Sequence, residues 1–197
     1  MKTFIITGIT LILFVTQTNI ILGQDVVYEN GKIRNNIGIL FPFDDDQTVS
    51  KAVLWFSKNE GSSLLTLQYR VLLKYTVAEL YMKNPPEMLV KIGDGTILNG
   101  KSERIVDGII TGTPCIDVYF NLTDDLQTKI ATYGIEKVRF AFIYNYLGIN
   151  ENQVFDAYTK NCPDETYTAQ KLLKDIKTAD FQKAKAEAKK KSLSNGF

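Results

Sequence analysis

The chain has 197 residues with 23 basic and 22 acidic side chains, so its formal charge is +1. Near-neutrality argues against a dedicated nucleic-acid binder, which shows a basic excess. No histidine is present, which removes Ser-His-Asp and Cys-His nucleophile pairs and the commonest zinc and copper ligands.

Residues 1–23 have the order of parts of a secretory signal peptide. Lys2 gives an early charge, Phe4 to Val15 is almost wholly apolar, and Gly23 is the small residue before Gln24. A bilayer-spanning helix needs about 20 apolar residues, and Gln17 and Asn19 would interrupt one. The expected product is exported, periplasmic or secreted. Gln24 has no thiol to acylate, so a lipid anchor at that position is not expected.

The mature chain, residues 24–197, suits one domain, read here as residues 24–180 followed by a Lys-rich helical tail at 181–197. Residues 25–48 are mixed in character. The run Ile37 to Phe41 reads as an edge strand and Asp44-Asp45-Asp46 as a loop. An EF-hand registered from Asp44 would need Gly at 49 and Glu at 55, where Val49 and Trp55 stand. Ala52–Phe56 and Leu64–Leu73 flank a polar Gly61 turn and predict a hairpin. Val49, Ala52, Val53 and Phe56 also fit a helical stripe, but Val, Trp and Phe favour the pleated surface.

Pro85-Pro86 ends the Tyr75–Met82 segment. Asp94-Gly95 between apolar runs predicts a second hairpin with both central residues at positive φ. Gly100 to Pro114 reads as connecting loop, with Ile109-Ile110 as a short strand. Ile116, Val118 and Phe120 alternate with Asp117 and Tyr119 as in a strand. Thr123 caps a predicted helix with Asp124 and Asp125 in its first turn, Leu126, Ile130 and Tyr133 on its apolar face and Gly134 at its end. Val138, Phe140, Phe142 and Tyr144 then share one face of a strand. From Thr166 the pattern is helical, with Ala169, Leu172, Leu173 and Ile176 forming a stripe. Lys183 to Lys191 alternates Ala with charge and is expected to fray or project into solvent.

The order of these elements resembles small exported proteins of unknown function from Bacteroidetes-type bacteria. Leu89–Ile97, Ile116–Ile130 and Gly134–Phe140 carry the likeness: a strand ending in an Asp-Gly turn, a strand, a short helix, then Gly-Ile-x-Lys-Val-Arg entering a strand. It spans roughly residues 50–145 and implies a shared architecture, with no catalytic residues to transfer. The Lys-rich tail departs from that pattern. The expected fold is α+β: an antiparallel sheet of about five to seven strands, a short helix between two of them, and a C-terminal helix.

Cys115 and Cys162 are the only cysteines. In an oxidising compartment they would either form a bridge, stabilising the fold by roughly 4 kcal/mol, or stay as two unpaired thiols. Adjacent Ser-Lys pairs (Ser50-Lys51, Ser57-Lys58, Lys101-Ser102) point to opposite faces of a strand and make poor sites. Asn121-Leu122-Thr123 meets a glycosylation sequon, but the helix cap accounts for Thr123. Gly93-Asp94-Gly95 is too short to cradle a phosphate.

No cofactor or metal set is expected. The leading expectation is a non-catalytic binding or interaction module for an envelope protein or glycan. Tyr144 and Tyr146, near the Gly148 loop, are the candidate binding pair, since exposed tyrosines suit both ligand classes. From Lys171 to Lys191 eight lysines face Asp175, Asp180 and Glu187, a local balance of +5 that leaves −5 on residues 24–170. The alternative is therefore binding of an anionic glycan, lipid or nucleic acid through Lys183, Lys185, Lys189, Lys190 and Lys191. A carboxylate-dependent hydrolase is the remaining alternative.

Overall fold

The computed structural model describes residues 26–43, 49–73, 85–101, 106–107, 114–164 and 167–194. The leader, the Asp44–Asp46 triplet, the Tyr75–Met82 segment and Ile109-Ile110 lie outside them. The fold is α+β. Eleven described strands form two antiparallel sheets, accompanied by three described helices. The larger sheet has seven strands, as expected; the second, of four strands, is an addition to the sequence reading.

In the larger sheet β1 (Val26–Glu29), β2 (Lys32–Asn35), β4 (Val49–Asn59), β5 (Leu65–Leu73), β9 (Pro114–Leu122) and β8 (Val106–Asp107) lie in that order. The short β3 (Ile39–Pro42) pairs with β4 beyond the end of β2, so two strands share one edge of β4. The smaller sheet runs β11 (Ile149–Tyr158), β10 (Ile135–Tyr146), β6 (Glu87–Ile92), β7 (Ile97–Lys101).

Alternation decides which faces meet. Leu54, Phe56, Leu67, Tyr69, Val71 and Ile116 from one sheet join Met88, Val90, Ile92, Val138 and Phe140 from the other in a single core. Gly100 marks the closeness of the two layers: a Cβ there would fall 2.4 Å from Val118 Cγ2. Phe43 meets Phe155 edge-on at 6.1 Å along the opposite margin.

The hairpins follow their turn residues. Asn30 (φ 50°) and Gly31 (φ 79°) join β1 to β2 in the doubly left-handed turn that suits the twist of the strands. Residues 25–48, mixed in character, carry no hairpin expectation, although Asn-Gly is the strongest short signal for one. Asp94-Gly95 does form a hairpin, but only Gly95 takes positive φ. Gly95 N–H donates to the Ile92 carbonyl (2.9 Å) and Asp94 Oδ1 accepts from Thr96 N–H (2.9 Å), giving a three-residue loop closed by glycine.

Helix α1 (Asp124–Tyr133) starts where predicted: Thr123 Oγ1 accepts from Leu126 N–H at 3.3 Å. Its buried residues are Gln127 and Ile130, while Tyr133 is 57% exposed, so the expected apolar face is corrected. Gln127 tolerates burial because its amide donates to the Leu122 carbonyl (3.0 Å). Helix α2 (Ala169–Thr178) buries the full predicted stripe of Ala169, Leu172, Leu173 and Ile176 against β2 and β4. Each of its three larger side chains stabilises the fold by about 1.5–3 kcal/mol.

Helix α3 (Phe181–Ser194) restarts after Thr178-Ala179-Asp180, where the sequence suggests a second helix carrying Phe181 and Ala184, and it packs on β1. Lys183–Lys191, expected to fray or project, is helical with its lysines exposed. Ala184 is 6% exposed and Phe181 packs against the core. Asp180 Oδ1 caps the helix by accepting from the N–H groups of Gln182 (2.8 Å) and Lys183 (3.1 Å).

Candidate functional site

The outer face of the larger sheet carries the most developed side-chain network. Because the inward positions of β5 are Leu67, Tyr69 and Val71, Gln68 and Arg70 must point outward. Register then brings Trp55 of β4 and Tyr119 of β9 to either side of Gln68, and Asp117 beside Arg70. Residues far apart in sequence thus become one row across three strands.

Arg70 Nε and Nη2 donate to the two carboxylate oxygens of Asp117, each at 2.6 Å. Gln68 Nε2 donates to Asp117 Oδ2 (3.1 Å) and to the Tyr119 hydroxyl (3.0 Å). The guanidinium lies 5.3 Å from the Trp55 ring centroid, within cation–π range. Hydrogen bonding to Asp117 raises the pKa of Arg70. Burial, followed by the Asp117 charge, raises that of the Tyr119 phenol.

Two features of this row are not explained by internal satisfaction. Trp55 Nε1 is shut off from solvent and has no hydrogen-bond partner among the described residues, a state that costs about 1–3 kcal/mol. Tyr119 stands 55% exposed. The arrangement is a hydrogen-bonded polar row flanked by Trp55 and the exposed Tyr119. Asp117 is occupied by Arg70, Gln68 and Tyr119, and its role there is to fix the guanidinium.

A second ion-pair row crosses the outer face of the smaller sheet. Arg139 holds Asp156 through Nε and Nη2, both at 2.7 Å, and Lys137 adds a contact at 3.1 Å. Lys137 and Lys160 each lie 5.5 Å from the Tyr158 ring centroid.

The residues singled out in the sequence are scattered. Tyr144 and Tyr146 occupy β10 positions opposite Glu151 and Ile149, in the other sheet from Trp55; their side chains fall outside the described set. Lys183, Lys185, Lys189, Lys190 and Lys191 all lie on α3 and are exposed. Lys185 is committed internally: it meets Glu60 at 3.2 Å and sits 5.6 Å from the Tyr28 ring centroid. The Glu60 hydrogen bond raises its pKa.

The expected disulfide is corrected, since no bond joins Cys115 and Cys162. Cys115 belongs to β9 of the larger sheet. Cys162 follows the 3-10 turn Thr159–Asn161 after β11, with Sγ 3.9 Å from the Tyr158 carbonyl. The two strands belong to different sheets, and burial pushes the Cys162 thiol up to about 11. Among the described residues no group of three or more Cys, Asp or Glu could hold a metal ion, and no helix is long and apolar enough to cross a membrane.

The site and fold define an α+β two-sheet protein with an aromatic–guanidinium row on one outer face. No protein-family model, curated protein or solved structure matches the chain.

Proposed function

We propose that this chain is an exported, non-catalytic binding module that holds a glycan or protein of the cell envelope on the outer face of its larger sheet. The observation that carries the reading is the exposed Tyr119 beside the Arg70–Asp117 clamp, whose guanidinium lies over the Trp55 ring. Tyr119 would supply contact area at small cost in side-chain freedom. Export rests on the leader pattern of residues 1–23. The resemblance to exported Bacteroidetes-type proteins points the same way.

Two measurements test this. Mass analysis of secreted material should find a chain beginning at Gln24. Calorimetric titration with peptidoglycan fragments, neutral polysaccharides and envelope proteins should give binding that Tyr119→Ala weakens at least tenfold, a loss of about 1.4 kcal/mol. An unprocessed chain in the cell interior contradicts the export half. Binding indifferent to Tyr119 and Trp55 contradicts the site.

A second reading has one observation behind it. Helix α3 packs with Ala184 inward and keeps Lys183, Lys189, Lys190 and Lys191 exposed, as attraction to an anionic surface requires. Reversing Lys183, Lys189 and Lys190 to Glu should then abolish retention on a polyanion and its salt dependence. Reversal is the better test than truncation, because removing α3 would also strip cover from β1.

A further inference from the structure

We propose that the free edge of β11 is a pairing surface for a second copy of this chain, joining two four-stranded sheets into one continuous antiparallel sheet. β11 is ten residues long and ends its sheet, and among the described strands it pairs with β10 alone. An open edge presents a row of backbone donors and acceptors, and folded proteins blunt such edges with Lys, Pro, bulges, short strands or cover.

The other described edges are protected in these ways. β1 is packed by α3, β8 has two residues, β3 has four and ends in Pro42, and β7 has five and ends in Lys101. β11 has no Lys, Arg or Pro, and its register with β10 is unbroken. Its hairpin also concentrates exposed apolar side chains: Leu147 (84%), Ile149 (63%) and Val154 (52%). Leu147 further holds φ at +53° in the turn, where a non-glycine residue with a bulky side chain is disfavoured. Exposure and backbone strain thus coincide at one residue.

The free length is Ile149–Val154, exposed apart from half-buried Gln153. Beyond it, Phe155 turns into the core against Phe43. The two-residue turn closes on the Tyr146–Ile149 pair, so Asn150, Asn152 and Val154 direct their backbone groups away from β10. A two-fold axis through Asn152 uses this whole run. It sets Glu151 opposite Gln153 of the second copy and Asn150 opposite Val154, so no like charges meet. An axis through Glu151 would oppose that carboxylate to itself and is disfavoured. The partner is therefore this same strand, and the short contact makes the dimer weak and concentration-dependent.

Sedimentation equilibrium of the mature chain from low micromolar to millimolar concentration tests the proposal. The expected result is a monomer–dimer equilibrium that Asn152→Lys and Val154→Lys shift to monomer. Ile97→Lys, on the opposite edge of the same sheet, should leave it unchanged. A wild-type measurement covers the case of a misfolded variant: the Asn150, Asn152 and Val154 amides should exchange several times more slowly at high concentration. A monomer at every concentration overturns the proposal. So does a dimer that survives both edge lysines, or concentration-independent exchange of those amides.

Discussion

The side chain of Asn35 accepts a hydrogen bond from the Phe56 backbone N–H (2.8 Å) and donates one to the Leu172 carbonyl (3.0 Å). Asn35 is 1% exposed and stands where β2 stops and β3 has not begun, so it fills a gap in the ladder along β4. One amide thereby ties the larger sheet to α2.

Asn35→Ala should cost about 1–3 kcal/mol, because it leaves the buried Phe56 N–H unmatched and removes the tie to α2. Asn35→Asp should be no better, since a carboxylate cannot donate to Leu172. Urea denaturation with an unchanged m-value is the check. A change below the error of the extrapolation would mean that the gap is satisfied some other way.

Gly134 closes α1 at φ 68° and ψ −168°, a region that is nearly glycine-only. A Cβ there would also lie 2.6 Å from Gln170 Nε2 on α2. Gly134→Ala should therefore lose about 1–3 kcal/mol from backbone strain, plus a steric contribution. Adding Gln170→Ala should restore only the steric part. Full restoration in the double-mutant cycle would show that the backbone is not strained.

The Arg139 hydrogen bond, followed by that from Lys137, holds the Asp156 carboxyl below its usual value of 3.8. The folded pKa lies below the unfolded one, so this contribution is complete above the unfolded value and disappears as pH falls through the folded value. At neutral pH Asp156→Asn should cost about 1 kcal/mol or less, given its partial exposure. The gap in Tm between wild type and variant should close on acidification. A gap that persists in strong acid would point to packing instead of charge.

Helix α3 is held on β1 through Ala184, part of Phe181, and the exposed Lys185–Glu60 pair. Ala184→Glu should release the helix, with loss of amide protection across Phe181–Ser194 and little change in the exchange of β5 and β10. Protection lost evenly through the core would mean that α3 belongs to the main cooperative unit.

Cys115 and Cys162 should both react with a thiol reagent in denatured, unreduced protein, and reductant should leave Tm unchanged. A disulfide-linked peptide in a non-reducing digest would contradict the structure.

Much of the fold was legible where a residue type and a period agree. The α2 stripe, the Thr123 cap, Gly134 and the alternation of Ile116 and Val118 each mark their element directly. β11 was not, because Asn150, Glu151, Asn152 and Gln153 serve a strand exposed on both faces and show no alternation. Its turn is equally hidden, as Leu147 stands where Asn or Asp would announce a hairpin. By contrast, Asn30-Gly31 did announce one.

The Trp55–Arg70–Asp117 row was beyond local reading for a different reason. Trp55, Arg70 and Asp117 come together only through the pairing of β4 with β5 and of β5 with β9. Tyr144 and Tyr146 attracted notice because they sit close together beside a glycine loop, which reports proximity in sequence alone. The cysteines show the same limit: 47 positions of separation do not reveal that their strands end in different sheets.

Trp55 is the only tryptophan in the chain, so its emission reports on the row without a label. Titrating the protein with the peptidoglycan fragment or polysaccharide that binds in calorimetry should shift and saturate that emission with the same Kd. Tyr119→Ala should move both curves together. Saturable binding that leaves Trp55 emission unchanged would place the ligand elsewhere and contradict the outer face of the larger sheet as the binding surface.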